Sequence, residues 1–247
     1  MSTPLVQIVI PTYNERENLP PLIAAIRHVL PNGGILIVDD GSPDGTGELA
    51  DQLARGDPLL HVLHRTGPRG FGRSLVDGML WALERNPDFV IQMDADGSHN
   101  PEYLPALLEA ARDYDVVIGS RYVRHHVSVV NWPLSRLLLS VFANAYVRTI
   151  THLPVTDATG GYRCWRASAL RRICLHTIRS DGYSFQVETL YRAYALGFRI
   201  AEVPIIFIER RAGASKMSKR VIVESAFMPW RLIVARLVGR LLPKDSR

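Results

Sequence analysis

The chain has 247 residues, 47% of them hydrophobic and 21% charged, which is ordinary for a globular protein with room for one large α/β domain. Its formal net charge of +5 suits phosphorylated ligands or an anionic membrane surface. Since the chain carries no nucleic-acid-binding motif, we expect no nucleic acid among its partners. No apolar stretch approaches the roughly 18 to 20 residues of a membrane-spanning helix, so we expect the protein to lie on a membrane rather than to cross it.

Strands and helices alternate over residues 1–120. The strands are predicted at "LVQIVIP", "GILIVDD", "LLHVLHR", "DFVIQMDAD" and "YDVVIGSR", with helical spacing of apolar residues between them. Apolar strands separated by helices are typical of a mainly parallel sheet that is covered on both faces. Such sheets bind ligands beyond the carboxyl ends of their strands, where this chain has "PTYNE", "DDGSPD", "DADGSH" and "GSRY".

The remaining residues are more basic. We predict an amphipathic helix at "NWPLSRLLLSVFANAYVRTI", a loop at "TDATGGYRCWR", a helix at "SFQVETLYRAYALG", a strand at "RIAEVPIIFIE", a polar loop at "RRAGASKMSKR" and a final helix at "VIVESAFMPWRLIVARLVGRLLPK". The first and last of these helices have arginines among their apolar residues, so we expect at least one of them to lie in a membrane interface, the alternative being that both pack on the core. In the final helix, the residues expected to enter the membrane are Trp230, Leu232, Ile233, Leu237 and Leu241.

Two aspartates close together follow the fourth strand. Asp94 and Asp96 flank Ala95, and in an extended strand such alternate residues point to the same side. Two neighbouring carboxylates can bind a divalent cation, act as an acid/base pair, or cap backbone groups. A second acidic cluster, "VDDGSPDG", ends another strand and favours the metal.

The phosphate-binding motifs of nucleotide enzymes are missing. No G-x-x-x-x-G-K-[ST] loop occurs, and the glycines of "GPRGFG" follow the third strand rather than the first. A nucleoside diphosphate held through a metal ion and cationic side chains remains compatible with the sequence. The two cysteines, Cys164 and Cys174, and the absence of a secretory signal favour a reducing, cytoplasmic setting.

Six motifs together resemble a known family. "VIPTYNERENL", "IVDDGSPDGT", "MDADGSHNPE", "VIGSRYV", "TDATGGYRCWR" and "RRAGASKMS" occur in the order seen in family 2 glycosyltransferases, and among these the chain looks like the dolichol-phosphate mannosyltransferases. The resemblance implies a Rossmann-like GT-A catalytic domain over residues 1–220, followed at 221–247 by an amphipathic, membrane-interfacial helix. It also implies transfer of mannose from GDP-mannose to a polyprenyl phosphate, with inversion and with Mg²⁺ or Mn²⁺.

The resemblance also assigns roles to single residues. The donor-binding residues it implies are Pro11, Tyr13, Glu15, Val38, Asp40, Asp94, Ala95, Asp96, Arg210 and Lys216. The metal ligands would be Asp94 and Asp96, with Ser98 doubtful because a hydroxyl is short, and His99 is expected to be structural. Arg121, Arg136 and Ser140 would bind the acceptor phosphate, and Asp96, Arg121 and Arg136 are the residues assigned to catalysis.

The sequence alone leaves two alternative functions and the role of Asp157 open. A UDP-glucose-dependent enzyme with the same acceptor, or a non-catalytic module that binds a nucleotide sugar or a lipid phosphate, shares these motifs. Asp39 is expected to bond the backbone of its own turn, whereas Asp157 has either a structural or an acceptor-positioning role. We expect a peripheral protein on the cytoplasmic face of a membrane, where a separate membrane-anchoring subunit is a possible partner.

Overall fold

The structure is a computed structural model that describes residues 4–123, 127–208, 219–239 and 241. Its strands are β1 (Val6–Thr12), β2 (Gly34–Asp39), β3 (Leu60–His64), β4 (Phe89–Gln92), β5 (Val116–Ser120), β6 (Val129–Val130), β7 (Arg163–Arg166), β8 (Ile200–Pro204) and β9 (Phe207–Ile208). Its helices are α1 (Leu19–Val29), α2 (Thr46–Arg55), α3 (Phe71–Glu84), α4 (Leu104–Ala110), α5 (Leu134–Thr151), α6 (Ala167–Arg172), α7 (Gly182–Ala195) and α8 (Lys219–Leu237). The predicted alternation of strands and helices in the first 120 residues is confirmed.

The central sheet has seven strands in the order β3-β2-β1-β4-β7-β5-β8. All neighbouring pairs are parallel except the two that involve β7, which runs antiparallel between β4 and β5. The prediction of a loop over the whole of "TDATGGYRCWR" was therefore wrong for Arg163–Arg166. These four residues begin and end with arginine, and Arg163 is nonetheless fully buried within the sheet layer.

The sheet separates two hydrophobic cores. Val9, Leu36 and Val38 face α3, α6 and α7, whereas Ile8 and Ile10 face the opposite layer of α1 and α4. Alternation of side chains along each strand places these residues on opposite faces, and both faces are apolar because both are covered. The expected α/β fold with a mainly parallel sheet is confirmed.

A glycine brings α3 close to the sheet. A Cβ atom at Gly78 would lie 2.5 Å from Val9 Cγ1 and 2.7 Å from Val38 Cγ2, so no larger residue fits without displacing the helix. This close approach holds α3, and with it the loop that precedes α3, near the carboxyl ends of β1 and β2.

Helix α8 packs on α5 and α7. Met228, Leu232 and Leu241 are buried in the same core as the sheet residues. The expectation that Leu232 and Leu241 enter a membrane was therefore wrong, because they lie on the inward side. Phe227, Trp230 and Leu237 are exposed on the opposite side of the helix.

Candidate active site

The two aspartates at the carboxyl end of β2, Asp39 and Asp40, have different roles. Asp39 accepts hydrogen bonds from the Ser42 backbone nitrogen at 3.2 Å and from the Ser42 hydroxyl at 2.5 Å, which confirms its expected place in the turn. Asp40 is buried and forms an ion pair with Arg65, and its Oδ2 accepts a hydrogen bond from Gly70 N at 2.8 Å. Asp40 thus fastens the loop between β3 and α3 to the end of β2.

The other residues expected to hold the nucleotide are only partly accessible. Pro11 and Val38 pair across β1 and β2, and both are buried. The Val38 side chain belongs to the core, so only its backbone faces a ligand. Glu15 accepts a hydrogen bond from Asn18 Nδ2 at 2.7 Å, and Tyr13 is contacted by Arg69. Tyr13 and Glu15 are half-buried side chains that can still meet the donor, whereas Asp40 is buried and both of its carboxylate oxygens already accept hydrogen bonds.

Asp94 and Asp96 lie just beyond the end of β4, which closes at Gln92. Asp96 is buried, and its Oδ1 accepts hydrogen bonds from the Ser98 hydroxyl at 2.6 Å and the Ser98 backbone nitrogen at 3.1 Å. The Asp94 side chain is 31% exposed, and Ala95 between the two is buried. Ser98 therefore orients Asp96, which favours this role over the doubtful one of a metal ligand.

His99 is a structural residue, as expected. Its Nδ1 accepts a hydrogen bond from the Asp94 backbone nitrogen at 2.9 Å, and its ring stacks on Tyr162 with the centroids 4.9 Å apart. Since Nδ1 is an acceptor, the proton of the neutral ring lies on Nε2, 3.8 Å from Asp94 Oδ2. His99 thereby holds the backbone of Asp94 in place.

These residues suit a hard cation that is completed by its substrate. Mg²⁺ typically takes one or two protein carboxylates, with waters and substrate phosphates as its other ligands. Among the residues that the structure describes, no cluster of three or more His, Cys, Asp or Glu side chains is placed to hold a metal. Asp94 and Asp96 thus fit a metal that arrives with a diphosphate better than a metal enclosed by protein alone.

At the end of β5, Arg121 is held in place by a buried carboxylate. Its Nε donates to Asp157 Oδ2 at 2.7 Å and its Nη2 donates to Asp157 Oδ1 at 2.6 Å. Burial alone would raise the pKa of Asp157, but Arg121 holds that pKa below its usual range. Conversely, burial would lower the pKa of Arg121, and Asp157 raises it above its ordinary value. Both groups are therefore charged at neutral pH, and the guanidinium has a fixed orientation.

The loop that carries Asp157 is fastened by Glu202 of β8. The Glu202 carboxylate accepts hydrogen bonds from the backbone nitrogens of Thr156 at 2.7 Å and Asp157 at 2.8 Å. Arg163 donates to the carbonyl oxygens of Gly160 and Ala158 in the same loop. Burial lowers the pKa of Arg163 to about 9, so this guanidinium is still charged at pH 7.

A tryptophan ring lies between the two arginines assigned to the acceptor phosphate. The guanidinium carbon of Arg136 is 4.2 Å from the centre of the Trp132 ring, and that of Arg121 is 5.5 Å from it. Ser140, one turn after Arg136 on α5, accepts a hydrogen bond from the Tyr122 hydroxyl at 2.7 Å. The structure thus brings Arg121, Arg136 and Ser140 to one place, as predicted.

Arg121, Arg136 and Ser140 line a cavity of about 350 Å³. Most of its other walls are apolar or aromatic. They include Leu139, Phe142, Ala143, Tyr146, Val147, Val187 and Met228, together with Trp132 and Tyr183. The cavity therefore combines two guanidinium groups with an apolar interior, which suits a ligand with an anionic head and a hydrocarbon tail.

Sequence reasoning missed several of these residues. Trp132 and Tyr183 were not singled out, and the partnership of Arg121 with Asp157 was left open. The proximity of "TDATGG" to "GSRY" depends on β7 entering the sheet, which no local pattern indicated. Arg210 and Lys216, expected at the donor diphosphate, lie outside the described residues.

Comparisons of sequence place the chain among known enzymes. Residues 7–174 match the profile of a family described as Glycosyl transferase family 2. The chain is 51% identical over 217 residues to the undecaprenyl-phosphate mannosyltransferase of Micrococcus luteus, with 88% of this chain and 89% of that protein covered. It is 49% identical over 222 residues to the polyprenol monophosphomannose synthase of Mycolicibacterium smegmatis, with 89% of this chain and 83% of that protein covered.

Among solved structures, the chain resembles glucosyl-3-phosphoglycerate synthase from Mycobacterium tuberculosis in complex with Mn²⁺, uridine diphosphate and phosphoglyceric acid. The TM-score is 0.63 at 20% sequence identity, and the match covers 98% of this chain and 80% of that chain. At this level of identity the match concerns the fold alone.

Proposed function

This chain belongs to glycosyl transferase family 2, and we propose that it transfers mannose from GDP-mannose to a polyprenyl phosphate. The products are the polyprenyl-phosphate-linked mannose and GDP, and the anomeric configuration is inverted. The fold agrees with the GT-A architecture expected for such an enzyme. The two bacterial relatives, of which the chain covers 89% and 83%, carry names that describe mannose transfer to undecaprenyl phosphate and the synthesis of polyprenol monophosphomannose.

The observation that carries the proposal is the cavity between α5, α7 and α8. Arg121 and Arg136 supply two positive charges at its wall, while Leu139, Phe142 and Met228 supply apolar surface. A soluble phosphorylated acceptor would leave this apolar wall without a use. A polyprenyl phosphate uses both parts, with its phosphate at the arginines and its first isoprenoid units along the apolar wall.

The arginines position the attacking phosphate. Arg121 is fixed by Asp157, and Arg136 lies against the ring of Trp132, so both donors are ordered before the acceptor enters. Two ordered guanidinium groups offset the repulsion between the acceptor phosphate and the donor diphosphate, and they hold the attacking oxygen in line with the sugar.

The reaction needs no strong general base. A phosphate monoester is already an anion at neutral pH, so one of its oxygens attacks the anomeric carbon of mannose directly. The bond from that carbon to the GDP oxygen breaks at the same time, and GDP leaves with the electron pair. A hydrolase would instead need a carboxylate to activate water.

Asp94 and Asp96 are the residues that would hold Mg²⁺ or Mn²⁺. When bound, this ion neutralises charge that develops on the departing diphosphate. We further propose that Arg210 and Lys216 bind the same diphosphate, on the strength of their positions in the "RRAGASKMSKR" motif. Tyr13 and Glu15 are the side chains proposed to contact the nucleoside, and Asp40 is proposed to act there by holding the loop between β3 and α3.

The acceptor's lipid requires contact with a membrane, and one side of the protein suits it. Exposed apolar side chains of α5 and α8 form this surface, which we call the apolar face. It consists of Leu134, Leu138, Leu139, Val141, Phe142, Phe227, Trp230, Val234, Leu237 and Val238. The Trp230 indole donates a hydrogen bond to the Tyr146 hydroxyl at 3.0 Å, which joins the two helices. We propose that the apolar face lies in the cytoplasmic surface of a membrane.

No helix in the described part of the chain is long and apolar enough to cross a bilayer. A peripheral position gives the cavity access to the lipid, because Leu139 and Phe142 belong both to the apolar face and to the cavity wall. The acceptor can then reach the arginines while most of its chain stays in the bilayer.

The function is tested by incubating the protein with polyprenyl phosphate, Mg²⁺ or Mn²⁺, and either GDP-[¹⁴C]mannose or UDP-[¹⁴C]glucose. We expect label in the organic extract from GDP-mannose only, and no label when the metal is chelated. Label from UDP-glucose alone would contradict the proposed donor. No lipid-linked label from either donor, with protein that melts cooperatively, would contradict the proposed reaction.

A further inference from the structure

Arg69 contacts the residue proposed to support the nucleotide base. Its Nη1 donates a hydrogen bond to the Tyr13 hydroxyl, and its guanidinium carbon lies 4.8 Å from the centre of the Tyr13 ring. Arg69 is exposed and belongs to the loop between β3 and α3, whereas Tyr13 directly follows β1. An arginine from a separate segment therefore covers part of the donor end of the site.

The backbone of this loop is anchored on both sides of Arg69. Before it, Arg65 forms ion pairs with Asp40 and Asp77. After it, Gly70 N donates to Asp40 Oδ2 at 2.8 Å. Since Asp40 holds both ends, the position of the Arg69 backbone relative to Tyr13 is set by the fold. The long side chain of Arg69 can still change its rotamer when a ligand enters.

The contact also has a chemical consequence for a base that stacks on Tyr13. A guanidinium group carries parallel N–H donors in a planar fork, which matches two acceptors placed side by side. Guanine presents such a pair in O6 and N7, and arginine is the side chain that most often reads it. The corresponding edge of uracil has the O4 acceptor without a second acceptor beside it. A guanidinium at this position therefore distinguishes the two bases.

We propose that Arg69 reads the O6 and N7 edge of the donor's guanine while Tyr13 supports the face of the base. Arg69 is then the residue that sets the preference for a guanine over a uracil nucleotide. This inference rests on the proposed function, because it takes a GDP-sugar as the donor. It adds a base-recognition residue to Tyr13 and Glu15, and it gives Asp40 the role of holding the loop that carries Arg69.

The test measures nucleotide affinity by calorimetry, so it does not depend on mannose transfer. The wild-type protein, with Mn²⁺ present, is titrated with GDP, UDP and 7-deaza-GDP, which lacks the N7 acceptor. We expect GDP to bind about tenfold more tightly than either of the others, since a bidentate base contact contributes about 1–3 kcal/mol of discrimination. In Arg69→Ala the affinity for GDP should fall about tenfold. The variant should then bind GDP and 7-deaza-GDP equally.

Two further variants separate hydrogen bonding to the guanine edge from the effect of a positive charge near the nucleotide. Arg69→Lys keeps the charge but not the fork, so it should also fail to distinguish GDP from 7-deaza-GDP. Arg73→Ala removes an exposed arginine from the start of α3 and should keep the preference of the wild type. An equal loss of affinity for all three nucleotides in Arg69→Ala, or no loss for any, would overturn the inference.

Failure of the inference can be told from failure of the proposed function. If the wild type transfers mannose from GDP-mannose and Arg69→Ala still prefers GDP to 7-deaza-GDP, only the role of Arg69 is wrong. If the wild type binds UDP more tightly than GDP and transfers only from UDP-glucose, the proposed donor is wrong as well.

Discussion

The proposed metal end and the proposed acceptor end of the site are assembled in different ways. At the metal end, which comprises Asp94, Asp96 and Ser98, the carboxylate of Asp96 is oriented by a residue two positions away. At the acceptor end, which comprises Arg121, Arg136 and their partners, Arg121 is oriented by Asp157, 36 positions away. Asp157 in turn depends on Glu202, which is 45 positions further along the chain.

The difference predicts how each end responds to substitution. A turn that is built from neighbouring residues can lose a charge without disturbing the sheet. A buried ion pair that joins distant segments cannot, because the remaining charge is left buried without its partner. Changes at the metal end should therefore reduce activity alone, and changes at the acceptor end should reduce stability and activity together.

The largest effect on activity is expected for Asp96→Asn. The amide oxygen still accepts the Ser98 hydrogen bonds, so the free energy of unfolding should change by less than about 1 kcal/mol. Loss of one metal ligand should lower kcat about 100- to 1000-fold, the size found when one electrostatic stabiliser of a transition state is removed. Radiolabel transfer and chemical denaturation measure the two effects. Retained activity would show that Asp96 is not a metal ligand.

Asp157→Asn should reduce stability as well as activity. Breaking a buried ion pair by removing one partner costs about 3–5 kcal/mol of stability, and Arg121 also loses its fixed orientation. Urea denaturation measures this change, and a matched control is Glu109→Gln, which breaks the exposed pair with Arg112. The control should change stability by less than about 1 kcal/mol. An equally small change in Asp157→Asn would contradict the structural role of the pair.

The same ion pair predicts a pH dependence. The pKa of Asp157 is lower in the folded protein than its ordinary value of 3.8, so its contribution to stability is fully present above that value. It is lost as the pH falls through the lower, folded pKa. The difference in unfolding free energy between wild type and Asp157→Asn should therefore be constant from pH 7 to pH 5 and narrow below about pH 4. A constant difference down to pH 2.5 would contradict this assignment.

The apolar face of α5 and α8 predicts a smaller effect, on location. Phe142→Ser together with Leu237→Ser should weaken binding to anionic vesicles about tenfold or more, since shallow insertion recovers only part of the about 1.5–3 kcal/mol that each side chain contributes when fully buried. Vesicle sedimentation measures the binding. Leu5→Ser with Leu59→Ser removes two exposed leucines elsewhere and should leave it unchanged. Equal losses in the two double variants would argue against a specific membrane surface.

The smallest effect is expected at Trp132. Cation–π contacts of this kind contribute about 0.5–2 kcal/mol, so Trp132→Ala should raise the KM for polyprenyl phosphate about three- to tenfold. The KM for the nucleotide donor should change less, because the Trp132 ring contacts Arg121 and Arg136 directly and reaches His99, beside Asp94, only through Phe207. Trp132→Phe keeps an aromatic face and should recover part of the loss. An equal rise in both KM values would indicate general disruption of the site.

The sequence predicted the turn contacts of Asp39 better than the contact between Arg121 and Asp157, and the reason is the same difference in assembly. Asp39 and Asp96 lie in turns, and a few neighbouring residues are enough to predict that such aspartates accept hydrogen bonds within the turn. The helix that carries Arg136 and Ser140 was also predictable from its apolar spacing. The pairing of Arg121 with Asp157 was not, because it follows from the entry of β7 into the sheet.

The sequence patterns also did not predict which side chains of the later elements are buried. Arg163 begins a strand and is fully buried, where it donates to carbonyl groups of the Asp157 loop. Leu232 and Leu241 were expected at the membrane, but the fold turns them inward. An apolar residue on an amphipathic helix indicates a buried position, and only the packing of α8 on α5 and α7 decides between core and membrane.

The central claim is that Arg121 and Arg136 hold the acceptor phosphate at the wall of an apolar cavity. A crystal structure with GDP, Mn²⁺ and a short polyprenyl phosphate such as geranyl phosphate tests it most directly. The phosphate should lie within hydrogen-bonding distance of both guanidinium groups, with the isoprenoid chain along Leu139, Phe142 and Met228. A phosphate bound away from Arg121 and Arg136, with the cavity filled by other atoms or left without the lipid, would contradict the claim.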